Sequence, residues 1–211
     1  MKVVAFNGSP KKEGNTYHAI KLVADELEKE GIEIEIIHIG NKNIRGCMGC
    51  NKCRENMDEK CIFDDDAVNE MIQKLKEADG VILGTPVHYT DMSGTMKSFL
   101  DRLFYVNGAN GNFLKHKVGV SVVAVRRSGG MTALNQLNSY LNYSEMIVPT
   151  SYYWNVIHGR TPGEVLKDEE GVCTLKTLGR NMAWAMKLVE NGRDSVKKPE
   201  KIEKESMSFI R

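Results

Sequence analysis

Four of the five cysteines in this 211-residue chain fall within the fifteen residues CMGCNKCRENMDEKC, positions 47–61. Thiols at this density bind metal or handle electrons. Cys47, Cys50 and Cys53 stand at successive triplet spacings, and seven residues separate Cys53 from Cys61. Zinc is usually gripped by two CxxC knuckles from separate segments, so the pattern departs from the common zinc form. It suits a [4Fe-4S] cubane, because a chain winding past one can present a sulfur to each of three irons. On a regular helix the second and third thiols would sit about 300° and 240° around the axis from the first, and so diverge. An irregular loop is therefore expected, with Gly46 and Gly49 supplying backbone freedom. On spacing alone, zinc and unliganded thiols remain alternatives. Cys173 lies outside the motif and is expected in the core.

Three other stretches carry residues suited to holding a ligand. In NGSPKKEGNT, residues 7–16, Gly8 and Gly14 permit positive φ, and Ser9, Lys11, Asn15 and Thr16 place donors beside a helix start. Such a loop suits a phosphate. It is neither a Walker A loop, since five residues separate the glycines and Asn15 stands where the lysine belongs, nor a GxGxxG turn. In TPVHYTDMSGTMKSFLDR, residues 85–102, Pro86 fixes the backbone just past a strand, and Val87, His88 and Tyr89 follow it. The two planar rings could flank a flat heterocycle. In RRSGGMT, Gly129 and Gly130 allow close backbone approach, and Arg126 and Arg127 are either ligand-facing cations or surface charges.

These loops need a frame. Apolar, β-branched runs at residues 2–6, 33–39, 80–85 and 118–125 read as strands, with a fifth expected at 146–151. Helical periodicity marks 17–29, 67–78, 93–105, 132–143 and 175–190. Strands alternating with helices predict a parallel sheet covered on both faces. In an open sheet of this kind, ligands sit beyond the carboxyl ends of the strands, where the three loops fall. One domain over 1–191 is expected, with a cysteine loop at 46–63 and a Lys- and Glu-rich tail at 192–211.

Composition narrows the partners. With 41% apolar residues the chain can bury a core without disulfides. Its 29 basic and 28 acidic residues create no field that would recruit nucleic acid or an anionic membrane. No apolar run reaches the roughly 18 residues of a membrane span, and residues 1–6 lack the form of a signal peptide. A cytoplasmic protein is expected, in which the thiols stay reduced.

Taken together, the loops resemble the flavodoxin-like family of FMN-dependent NAD(P)H oxidoreductases. The matching residues are Gly8, Ser9, Pro10, Asn15 and Thr16; then Pro86, Val87, Met96, Lys97, Asp101 and Arg102; then Gly129 and Gly130. Where that family has a tyrosine after Pro-Val, His88 stands here, with Tyr89 next. Within the flavodoxin-like proteins, Cys47, Cys50, Cys53 and Cys61, followed by the acidic CIFDDD, resemble the iron-sulfur flavoprotein family. The resemblance implies an α/β, doubly wound, five-stranded parallel sheet of order 2-1-3-4-5. It implies FMN held at its phosphate by Ser9, Lys11, Asn15 and Thr16, with Pro86, Val87, His88, Tyr89, Gly129 and Gly130 bordering the isoalloxazine. It further implies a [4Fe-4S] cluster on the four cysteines, ferredoxin or a similar carrier as donor, and a homodimer or homotetramer. The alternative is a cluster-free NAD(P)H-dependent FMN or quinone reductase.

Overall fold

A computed structural model describes residues 1–211 except positions 201, 204, 206, 208, 210 and 211. Five parallel strands form one sheet in the order β2-β1-β3-β4-β5. They are β1 (Lys2–Asn7), β2 (Glu33–His38), β3 (Gly80–Pro86), β4 (Val118–Val125) and β5 (Val156–His158). The helices between them are α1 (Asn15–Lys29), α2 (Lys52–Asn56), α3 (Val68–Glu77), α4 (Gly94–Ala109) and α5 (Gly130–Tyr143), and α6 (Glu169–Gly192) closes the chain order. Helix α6 ends at Gly192, the first residue of the expected charged tail, of which positions 201, 204, 206, 208, 210 and 211 lie outside the described residues.

Side-chain alternation along the strands divides the core in two. Val4 and Phe6 of β1, with Val81 and Leu83 of β3, face α3, α4 and α5, where the Phe6 and Phe99 rings meet at 4.6 Å. Val3, Ala5 and Ile82 face α1 and α6. Strands buried on both faces need apolar residues at successive positions, which is why β1, β3 and β4 read as continuous runs. Among the described residues, no helix is long and apolar enough to cross a membrane.

The α1–α6 seam depends on a close approach. A Cβ on Gly179 would lie 2.7 Å from the Val23 carbonyl oxygen, so only glycine lets the helices touch there. Beside it, Glu26 is 4% exposed and accepts from Arg180 Nε at 2.8 Å and Lys29 Nζ at 2.6 Å. Arg180, then Lys29, holds the Glu26 carboxyl below its ordinary 4.5. A carboxylate with a depressed folded pKa contributes its full stability above the unfolded value and loses it as pH falls through the folded one. Glu26→Gln is therefore expected to lower the urea midpoint at neutral pH and to flatten its decline as the buffer is taken below 4.5, measured by urea melts across that range.

The fifth strand is displaced from its expected place at 146–151. Ile147 makes a single parallel bridge to Val118, with its N–H on the Lys117 carbonyl at 2.9 Å. Pro149 then has no N–H to continue the ladder. The chain leaves the sheet through the exposed Tyr152, Tyr153 and Trp154 and returns at Val156, opposite Val123. Cys173, expected in the core, lies exposed on the first turns of α6.

Candidate functional site

The loop between β1 and α1 is organised by the buried Asn7, whose Oδ1 accepts from Ser9 N at 3.0 Å and whose Nδ2 donates to Lys12 O at 2.9 Å. From β3, Gly84 O accepts from Gly8 N at 2.8 Å, and Ser93 Oγ donates to Gly8 O at 2.7 Å. The loop is thereby fixed before any ligand arrives. Helix α1 starts after Gly14 with no side-chain cap, so its first N–H groups face outward with their partial positive charge. Beside them, Asn15 Oδ1 and Thr16 Oγ1 are buried with no hydrogen-bond partner. Buried polar atoms are nearly always paired, so two orphans at a helix N-terminus mark a place where a ligand supplies the partner. The Thr16 hydroxyl can donate to an anion, and a half-turn of the Asn15 amide presents its NH₂.

These residues line a cleft of about 220 Å³ with Pro86, Val87 and His88 from the loop after β3, Arg126 after β4, and Arg160 after β5. Val87 N–H donates to Ala124 O at 3.2 Å, which ties the second loop to β4. His88 and Asp91 exchange backbone bonds of 2.8 and 3.0 Å, closing a two-residue turn with Tyr89 at φ 49° and Thr90 at φ 67°. Such a turn favours Asn-Gly, and left-handed backbone is strained for a β-branched threonine. Gly129, at φ 88°, supports it, since a Cβ there would lie 2.8 Å from Thr90 Cα. Ser9, Lys11, Asn15, Thr16, Pro86, Val87 and His88 thus share one cleft, whereas Gly129 packs on Val87 and Thr90 and Gly130 on Val156, both outside its lining. Tyr89 stands fully in solvent, outside the cleft lining.

Two determinants escape a reading along the chain. His38 Nε2 donates to the Ser9 carbonyl at 2.7 Å, and Gly40 packs so close that a Cβ would lie 2.0 Å from that same oxygen. Their only signal in the sequence is position, at the carboxyl end of the strand next to β1. Arg160 belongs to the loop after the displaced β5 and was missed with it. A larger hollow of about 770 Å³ lies at the opposite, amino end of the strands, around Asp79 and Lys117. There Lys117 Nζ is already engaged, donating to the carbonyls of Leu75 in α3 at 3.2 Å and of Ala78, just past its end, at 2.6 Å.

The four cysteines occupy the connection between β2 and α3, packed on α4. Its irregularity is as expected, with left-handed backbone at Gly49, Asn51, Met57 and Glu59, but Cys53 sits on the short helix α2. Asn110 fastens this segment twice, accepting from Glu59 N at 3.0 Å and donating to Cys53 O at 3.3 Å. Tyr105 OH donates to Asn51 Oδ1 at 2.6 Å. All four thiols are free; Cys47 and Cys50 are exposed, Cys61 is half-buried and Cys53 is buried. Burial pushes the Cys53 thiol up, and its neighbours Cys61, Cys47 and Cys50 push it further. Among the described residues, no three His, Cys, Asp or Glu side chains converge as ligands of one ion. At Cys61 the buried Arg102 of α4 donates from Nε to Sγ at 3.3 Å.

A sheet of order 2-1-3-4-5, with a phosphate-type loop after β1 and a cleft beyond the strand ends, defines a flavodoxin-like protein. Residues 1–161 match the model of the family described as NADPH-dependent FMN reductase. An iron-sulfur flavoprotein of Methanocaldococcus jannaschii is 37% identical over 197 residues, covering 90% of this chain and 100% of the relative. One from Archaeoglobus fulgidus is 30% identical over 208 residues, covering 92% and 100%. The chain belongs to the iron-sulfur flavoprotein family, within the flavodoxin-like FMN reductases. Among solved structures, an archaeal flavodoxin superposes with a TM-score of 0.58 at 17% identity, covering 89% of this chain and 99% of that one. An NADH:FMN oxidoreductase superposes with 0.62 at 19%, covering 87% and 89%. At such identities both similarities speak for the fold alone.

Proposed function

We propose that this protein is an electron carrier that accepts single electrons at the Cys47–Cys61 loop and releases them at the His88 cleft to a small or protein acceptor. The observation that carries the proposal is the pairing of two sites on one frame: orphaned, anion-ready polar groups at Asn15 and Thr16, and four free thiols on the one loop between β2 and α3. FMN fits the first site, because its phosphate supplies the partners that the Thr16 hydroxyl, the Asn15 amide and the start of α1 lack. A [4Fe-4S] cluster suits the second by the chemistry of its donor set, four free cysteines on one irregular loop, one for each iron. When bound, a flavin exchanges electrons singly or in pairs and a cluster exchanges them singly.

The residues themselves do the holding. Ser9, Lys11, Asn15 and Thr16 bind the phosphate; Pro86, Val87 and His88 border the ring, with Gly129 backing the turn that carries the solvent-facing Tyr89 and Gly130 starting the helix behind it; Cys47, Cys50, Cys53 and Cys61 ligate iron. Exposed Cys47 and Cys50 leave the iron loop open to a ferredoxin-like donor. A homodimer or homotetramer brings the loop of one subunit toward the cleft of another, and a reducing cytoplasm keeps the thiols available. A second reading is a hydride-accepting NAD(P)H reductase. It is favoured by the family model's description and by an NADPH azoreductase of a Bacillus strain that is 32% identical over 141 residues, covering 67% of this chain and 68% of that one.

Iron, sulfide, zinc and FMN, measured per subunit on protein purified without oxygen, test the proposal. About four irons, four sulfides and one FMN with negligible NAD(P)H oxidation are expected. FMN without iron and with rapid NAD(P)H oxidation would establish the second reading. Within the cleft, Thr16→Val is expected to weaken FMN binding by about 1–3 kcal/mol, the range of a charge-assisted bond. The same change should leave the flavin-free protein as stable or more so, because it removes a buried hydroxyl that has no partner. Flavin titration and urea melts of the apoprotein measure the two halves.

A further inference from the structure

We infer that Arg102 is a positioning residue for the Cys61 sulfur and sets the reduction potential of the group that the cysteine loop holds; the inference rests on the iron-sulfur reading above. Arg102 projects from the middle of α4 with its side chain wholly buried, and its donors are divided among three acceptors. Nη1 pairs with the Asp66 carboxylate, Nη2 donates to Phe63 O at 2.8 Å, and Nε donates to Cys61 Sγ at 3.3 Å.

The first two contacts account for the burial of the charge. Asp66, itself 8% exposed, neutralises the guanidinium, and the Phe63 carbonyl takes another N–H. The Nε bond is different, because a neutral thiol is a weak acceptor and a poor partner for a fully desolvated charged donor. A metal-bound thiolate is a strong one. Nor is the bond needed to place Cys61. Asn69 already holds that residue's backbone from both sides, accepting from Cys61 N at 2.8 Å and donating to Cys61 O at 2.9 Å. What the Nε–H adds is a fixed positive dipole aimed at one of the four sulfurs.

Electrostatics gives the direction of the effect. An electron entering the loop's metal group adds negative charge shared with its sulfurs, and a buried N–H donor at Cys61 stabilises that added charge. Hydrogen bonds to cluster sulfurs are among the levers that set such potentials. Cys47 and Cys50, by contrast, face solvent, and Cys53 lies in the apolar core. The four ligands are therefore unequal, and Cys61 is the one under protein control.

The test uses anaerobically purified holoprotein, titrated with dithionite so that each cluster takes one electron from the reductant. In Arg102→Lys, which keeps a cation for Asp66 but loses the planar Nε donor, iron and sulfide content is expected to persist. The oxidised-to-reduced ratio at a fixed potential should rise at least tenfold, about 59 mV for a one-electron couple, while the flavin potential stays in place. Because a buried arginine is risky to replace, a second measurement uses the wild-type protein carrying ¹⁵N only in arginine. Its reduced cluster should show a ¹⁵N coupling by pulsed electron paramagnetic resonance that the lysine variant lacks. An unchanged cluster potential in an iron-replete variant, or no ¹⁵N coupling in wild type, would overturn the role of Arg102 while leaving the cluster in place. Wild-type protein without iron and sulfide would overturn the underlying reading and this inference with it.

Discussion

Cys50→Ser protein, purified without oxygen, is expected to lose most of its iron and sulfide while still binding FMN at its wild-type stoichiometry. A serine hydroxyl does not ionise to a soft anionic ligand near neutral pH, whereas a thiol does so readily when a metal competes for the proton. Cys50 is the informative choice among the four. Its side chain is exposed, so the substitution removes a ligand without opening a cavity. Cys53 is 7% exposed and packs in the core against α3 and α4, so its replacement would mix ligand loss with misfolding. FMN should be unaffected because none of the cysteines lines the cleft. Iron retained at the wild-type level would mean that Cys50 is not a ligand, and loss of both cofactors together would mean that the two sites are not separable.

Gly40→Ala is expected to damage the cleft from behind. A Cβ at that position would lie 2.0 Å from the Ser9 carbonyl oxygen and 2.2 Å from its carbon, far inside van der Waals contact. Neither side can yield cheaply. Ile39 N and Gly40 N both donate to the Asn7 carbonyl, at 2.9 and 3.1 Å, while the Ser9 oxygen is itself held by His38 Nε2. The phosphate loop must shift, and with it Ser9 and the geometry around Asn15 and Thr16. A loss of about 1–3 kcal/mol in apoprotein stability is expected from overpacking. FMN affinity should fall at least about tenfold, since roughly 1.4 kcal/mol of misplaced contact suffices. Gly108→Ala is the control. That residue is exposed within α4, a Cβ there meets nothing within 4 Å, and the change should stabilise the protein by about 0.5–1 kcal/mol with FMN affinity unchanged. Equal behaviour of the two variants would show that the approach of Gly40 to Ser9 does not matter for binding.

Much of this architecture was legible because parallel strands buried on both faces must be apolar at successive positions. The runs around Val3, Val81 and Val120 stand out for that reason, and the amphipathic stretches between them can only be crossovers. The glycine-containing loop after β1 was legible too, since its glycines and small polar residues fall within ten residues of the chain. The fifth strand was misplaced because 146–151 has strand composition. Whether it pairs was decided by the missing N–H of Pro149 and by Val156 lying opposite Val123. The burial of Cys173 was misjudged for a related reason, because a cysteine has no sidedness until the helix beneath it is packed.

By itself the sequence determined the alternation of elements, the sets of thiols and small polar groups, and the backbone freedom each loop would have, all of which depend on neighbours within a few residues. Tertiary structure alone decided what meets across long separations. Arg102 reaches Cys61 over 41 residues, and His38 reaches Ser9 over 29. It also decided that His88 lines the cleft while Tyr89 turns to solvent, because the left-handed Tyr89-Thr90 turn is held in place by a glycine some forty residues away. Such contacts leave no periodicity or spacing in the chain, since they are created by the packing of whole helices and strands whose relative positions no local pattern encodes.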